Sequence, residues 1–102
     1  MSGKIDANTW VYTVILNPGS DEQVLGQHDA DADISYIPIF KEQDHATQGL
    51  IQLEIEKGTR CEVQALLYGD IERAAGENGF LIYLLDASGT ILETFAAATQ
   101  AP

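Results

Sequence analysis

Basic charge is scarce in this chain: five Lys and Arg stand against sixteen Asp and Glu, a net charge of −11. So negative a surface opposes phosphate backbones and anionic headgroups, both of which are bound by neutralising negative charge, so neither nucleic acid nor a membrane is expected as a partner. Cysteine is nearly absent. Cys61 alone closes no internal disulfide, and nothing points to an oxidising compartment. Long apolar runs are missing too. The longest, Phe80 to Leu85, is far short of a bilayer span, and the start Met1–Asp6 has no apolar stretch behind a basic end. Neither a membrane-spanning helix nor an export signal is expected, and the expected address is the cytoplasm.

What is present is a folding composition. Hydrophobic residues make up 45% of 102 positions, so the acidity decorates a chain with enough apolar surface for one core and too little length for two. The expected organisation is a flexible start over residues 1–8, one domain over 9–95 and a flexible tail over 96–102.

Residues 9–16 concentrate β-branched and aromatic side chains and stop at Asn17-Pro18-Gly19-Ser20, the signature of a strand and a turn. The acid-rich residues 21–34 show no period and read as a loop, with a short strand near Val24-Leu25 as an option. Residues 35–40 read as a strand in which Pro38 argues for an edge or a bulge. Ala46, Leu50 and Leu53 then fall on one helix face over residues 41–52, with Gly49 a weak point.

In residues 60–68 an apolar set, Cys61, Val63, Ala65 and Leu67, alternates with a mixed one, as in a strand. A second helix over 71–77 ends at Asn78-Gly79, where glycine suits a left-handed terminus. The nearly continuous apolar run 80–85 reads as a central strand, and Asp86-Ala87-Ser88-Gly89 turns it into a last strand over 90–95. The expected fold is α/β, bordering on α+β. It is a two-layer sandwich in the order β-β-α-β-α-β-β, with a mixed sheet of about five strands and both helices on one face.

Four pieces of the chain together look like a recurrent bacterial pattern: Tyr36-Ile37-Pro38-Ile39-Phe40, a short helix, a strand carrying Cys61-Glu62-Val63-Gln64-Ala65, and a helix closing on Glu77-Asn78-Gly79-Phe80. On these the stretch 36–92 resembles the amino-terminal domain of the SseB family, and more loosely a small domain of unknown function from cyanobacteria and plastids. The resemblance implies protein interaction and brings no active site with it.

Chemistry-bearing patterns are sparse. Asp29, Asp31 and Asp33 have the spacing that opens a calcium loop, but Ile34 stands where the turn needs glycine and Phe40 where a bidentate glutamate belongs. Cys61 with His28 or His45 offers a thiolate pair, yet Cys61 opens the apolar face of a strand, where cysteine behaves as a small hydrophobe. No zinc spacing, phosphate loop or nucleophile elbow is present. No catalytic residue, metal or cofactor is assigned; enzyme activity is left open, since catalytic groups need only meet in space, with a non-catalytic role the preferred reading.

Two surfaces remain. If Val63, Ala65 and Leu67 face the helices, then Glu62, Gln64 and Tyr68 face away beside Trp10, Tyr12 and Tyr83, an aromatic patch with a polar edge suited to an unknown protein partner or to a homodimer. The alternative is a small-ligand or enzymatic pocket at the carboxyl ends of the parallel strands, with Lys41, Tyr68 and Asp70 as its residues.

Overall fold

The computed structural model describes residues 5–53 and 55–95. Seven strands and two helices follow in the order β1 (Trp10–Leu16), β2 (Gln23–Val24), β3 (Gln27–Asp29), β4 (Ile34–Ile39), α1 (Gln43–Gly49), a 3-10 turn (Leu50–Gln52), β5 (Cys61–Leu67), α2 (Tyr68–Asn78), β6 (Leu81–Leu85) and β7 (Ile91–Phe95). They form two sheets, β2-β1-β5 and β3-β4-β6-β7. Only β4 and β6 pair in parallel; the other pairs are antiparallel.

The two sheets meet at one point. The backbones of Tyr12 and Phe40 exchange two hydrogen bonds of 2.8 Å, so β1 and β4 touch at one end and splay apart at the other. The segment carrying β2 and β3 fills the opening as a wedge: β2 pairs with β1 at Ile15 and Leu16, and β3 with β4 at Ile34 to Tyr36. The frame is thus a mixed run β5-β1-β4-β6-β7, the five principal strands expected, with two short strands driven into it. These short strands lie in the acid-rich stretch read as a loop, because two or three residues carry too little periodicity to register.

Pro38 sits where the ladder changes partner. Both backbone groups of Phe40 face β1, and residues two apart in a strand face the same side, so the nitrogen of Pro38 points into the gap between β3 and β1. No donor is needed there. Its carbonyl accepts a 2.8 Å hydrogen bond from the buried hydroxyl of Thr13.

The mixed α/β class stands, but the helices lie on opposite faces of the frame, not on one. Ile71 and Ala75 of α2 pack on Ile37, Ile39, Ile82 and Leu84, whereas Ala46 of α1 packs on Phe40, Tyr83 and Leu85. Alternate residues of β4 and β6 therefore serve different helices. The cause is strand order: β4, β5 and β6 run in the same direction as expected, but β1 lies between β5 and β4. The crossover through α1 goes outward to β5 and the one through α2 comes back. Two crossovers of the same hand running in opposite directions must lie on opposite faces.

The ends and turns hold few surprises. Gly79 closes α2 at φ 71°, the left-handed terminus expected of it. Asp86 accepts from the N–H groups of Ser88 and Thr90 at 2.9 Å and fixes the turn into β7. Residues 5–9 are tied down: Asp6 and Thr9 bond each other, and Gly69 donates to the carbonyl of Ala7 at 3.0 Å. These bonds fall in the second half of the stretch 1–8 expected to be flexible. The first four residues and the expected tail over 96–102 lie outside the described residues.

Candidate interaction surfaces

The ladder between β1 and β5 runs through seven consecutive pairs, Trp10 with Leu67 to Leu16 with Cys61, without a shift of register. Just beyond its two ends, Tyr68 donates to Thr9 at 2.8 Å and Asn17 donates to Arg60 at 2.9 Å. Hydrogen-bonded pairs alternate along an antiparallel ladder, so the bonded residues of β5 are Glu62, Gln64 and Leu66. The N–H and C=O groups of Cys61, Val63, Ala65 and Leu67 therefore point away from β1. Leu67 is the N-cap of α2, so its carbonyl accepts the first bond of that helix; no described residue bonds to the other outward groups.

The other edges are blunted. β2 and β3 have two and three residues, and β7 is broken by a register shift at Leu84/Leu85 and carries Glu93. Short length, irregular pairing and charge are the usual guards of an exposed edge. β5 has none of them except Glu62: it is long, regular and free of proline and lysine.

Directly opposed residues of an antiparallel pair share a face. Trp10 and Tyr12 therefore lie with Leu67 and Ala65, while Glu62 and Gln64 lie on the other face with Ile15 and Thr13. The six residues expected to form one aromatic patch are thus divided. Trp10 is 62% exposed, but Tyr68 and Tyr83 are 4% and 5% exposed, Tyr68 in the core on the α2 side and Tyr83 in the core on the α1 side. Tyr68 is not in a strand at all: Leu67 is the extended residue before α2, and Tyr68 is its first helical one. Seeing this needed the register, which the alternation of β5 alone does not give.

The two buried tyrosines have definite surroundings. Tyr83 stacks on Tyr36 with ring centroids 4.1 Å apart, and its hydroxyl donates to Asp29. Burial, then the charge and hydrogen bond of Asp29, push its phenol up. Tyr68 meets Phe95 edge-on at 5.5 Å, and burial, with Glu72 and Glu93 nearby, raises its phenol from 10.0 to about 12. A phenol that holds its proton more tightly when folded stabilises the fold below the unfolded value, and this contribution is lost as pH rises through the folded one. Stability is therefore expected to fall as pH climbs from 10.0 toward 12, and Tyr68→Phe is expected to flatten that fall, as read by urea unfolding at stepped alkaline pH. An unchanged slope in the variant counts against the assignment.

Two open clefts flank β3. The larger, about 840 Å³, lies between the β2–β3 segment and the end of α2, with Glu22, Gln27, His28, Ser35 and Asn78 among its polar lining and Phe80 among its apolar lining. The smaller, about 410 Å³, is lined by Asp29, Asp31, Tyr36, Tyr83, Gln52 and Ile91 among others. Neither is lined by Lys41, Tyr68 or Asp70. Lys41 is exposed just beyond β4, and Asp70 is exposed on α2, where it bonds Arg73 at 3.2 Å.

One arrangement in the larger cleft escapes the sequence pattern. His28 approaches Ser35 through Nδ1 and Asp33 through Nε2, each at 3.4 Å, because His28 and Ser35 are cross-strand partners. The order Ser-His-Asp is that of a nucleophile relay. Its setting is not, since both contacts exceed good hydrogen-bond reach and Asp33 is 93% exposed, where water screens its charge. The Asp29–Asp33 stretch is a hairpin turn: Asp29 accepts from the N–H groups of Asp31 and Ala32 at 3.1 and 3.3 Å. Among the described residues no group of three or more His, Cys, Asp or Glu is placed to hold a metal ion. His45 turns to Glu42, and His28 to Ser35 and Asp33, so neither histidine is turned to Cys61.

No described helix is long and apolar enough to cross a membrane. Comparison of the chain with protein families, with curated proteins and with solved structures finds no match.

Proposed function

We propose that this domain is a non-catalytic protein-interaction module that receives an extended segment along the outer edge of β5. The observation that carries this is the row of outward backbone groups at Cys61, Val63 and Ala65 and the N–H of Leu67, unbonded by any described residue on an edge with Glu62 as its single guard. Such a row is a template for one more strand: main-chain hydrogen bonds supply affinity and side chains beside the edge supply selectivity. Trp10, on the same face as Ala65 and Leu67, is the exposed anchor beside it, and tryptophan is among the residues that dominate binding energy at interfaces. The likeness of residues 36–92 to SseB-like domains points the same way. A cytoplasmic setting fits the single free cysteine.

Extended peptides selected from a displayed library against the folded chain test this. Bound peptides are expected to shift the amide resonances of Cys61, Val63, Ala65 and Leu67 and the indole of Trp10. Selected peptides that instead perturb His28, Ser35 and Asn78 would move the binding site to the larger cleft and defeat the proposal.

A further inference from the structure

Resting on the reading of β5 as a docking edge, we infer that the segment it receives is β5 of a second copy, antiparallel about a twofold axis through Gln64. The pairing rules of the strand favour this. In an antiparallel pair centred on Gln64, Cys61 faces Leu67 of the second copy and Val63 faces its Ala65. Outward groups meet outward groups, because the axis relates odd positions to odd positions; the Leu67 carbonyl, which already accepts the first bond of α2, joins through its second lone pair. Centring one residue away, on Val63 or on Ala65, still bonds odd to odd but leaves one end of the strand unpaired. The Gln64 register is the one that uses all of Cys61–Leu67.

Side chains agree with that register. Glu62, the sole charge within β5, faces Leu66 of the second copy and not another carboxylate, and Arg60 faces Tyr68. Like charges directly opposed across a pair are destabilising, and here none are. Gln64, whose amide donates to Glu62 at 2.8 Å, lies on the axis beside its mate, where two side-chain amides can bond each other. On the other face Ala65 and Leu67 of each copy meet Val63 and Cys61 of its mate, with exposed Trp10 covering the end. A twofold pair of this kind is closed, so it makes dimers and not fibres.

Net charge sets the salt dependence. Each copy carries −11, so two copies repel through solvent, and added salt screens that repulsion. Association therefore strengthens as salt rises, the opposite of what a basic partner segment would show.

The test uses the full chain in gel filtration with light scattering over a wide range of concentration and salt, with amide hydrogen exchange read residue by residue. The expected result is a shift from 11.1 kDa toward twice that mass, enhanced by salt, with the amides of Cys61, Val63, Ala65 and Leu67 becoming protected as the dimer forms. Ala65→Lys, at an exposed position, is expected to weaken dimerisation by roughly tenfold or more while leaving the amide spectrum of the monomer intact. A monomer at every concentration and salt overturns the second-copy inference and leaves the edge to the peptide selection. A dimer indifferent to Ala65→Lys, with those four amides still exchanging freely, overturns β5 as the contact and the edge proposal with it.

Discussion

Replacing Phe40 with alanine is expected to lower the free energy of unfolding by about 3–5 kcal/mol, the usual cost of removing a fully buried aromatic ring. Phe40 has no exposed surface, and its ring anchors the α1 side of the core with Ala46, Tyr83 and Leu85. Alanine leaves the backbone bridge to Tyr12 intact, so the loss isolates the ring's packing from the hydrogen bonds that join the sheets. Small domains have about 5–15 kcal/mol in all, so the variant sits close to its unfolding threshold at room temperature. Urea titration checks this. A loss below about 1 kcal/mol would mean that α1 collapses into the vacated space, contrary to a well-packed core.

Gly49→Ala is the second large effect, and its sign opposes helix propensity. Alanine in a helix normally gains about 1 kcal/mol over glycine. Here a Cβ on Gly49 would stand 2.5 Å from Cε2 and 2.9 Å from Cζ of Phe40, atoms of a buried ring with no room to retreat. The expected result is a loss of about 1–3 kcal/mol, the usual cost of overpacking. The cause is separable: with Leu at position 40 the clash shrinks, so Gly49→Ala should cost less there by roughly 0.5 kcal/mol or more. Strict additivity of the two substitutions would reject the contact as the source.

That pair of residues also shows where sequence reasoning reaches and where it stops. Gly49 reads as a weak point of a helix because propensity is a local property, whereas its real role depends on a ring nine positions earlier in the neighbouring strand. The helices, the principal strands and the glycine terminus at Gly79 were legible because period and turn chemistry are local too. Strand order was not. Nothing in residues 10–16 announces that they pair with 61–67 and separate β5 from β4, and that single fact moves α1 and α2 to opposite faces.

The expected aromatic patch failed for the same reason. Alternation says that Glu62 and Val63 point to opposite sides, but not which of Trp10 or Val11 shares a side with either. Once the register is known, Trp10 remains outside while Tyr68 and Tyr83 go inside. The open edge of β5 has no sequence signature beyond a strand without proline or lysine, since being an edge is a property of the sheet and not of the strand.

The position of β1 has a kinetic consequence. Of the described strands it leaves the ribosome first, yet its longest ladder waits for β5, and its contact with β4 is one bridge wide. Until residues 61–67 are available, the mostly apolar strand Trp10–Leu16 has no full-length partner, and its pairing must close a long stretch of chain. Folding dominated by such distant pairing is slow compared with that of helical domains of the same size. The nascent chain therefore spends its most aggregation-prone interval with β1 uncovered, and its strong negative charge is then what holds unfinished molecules apart.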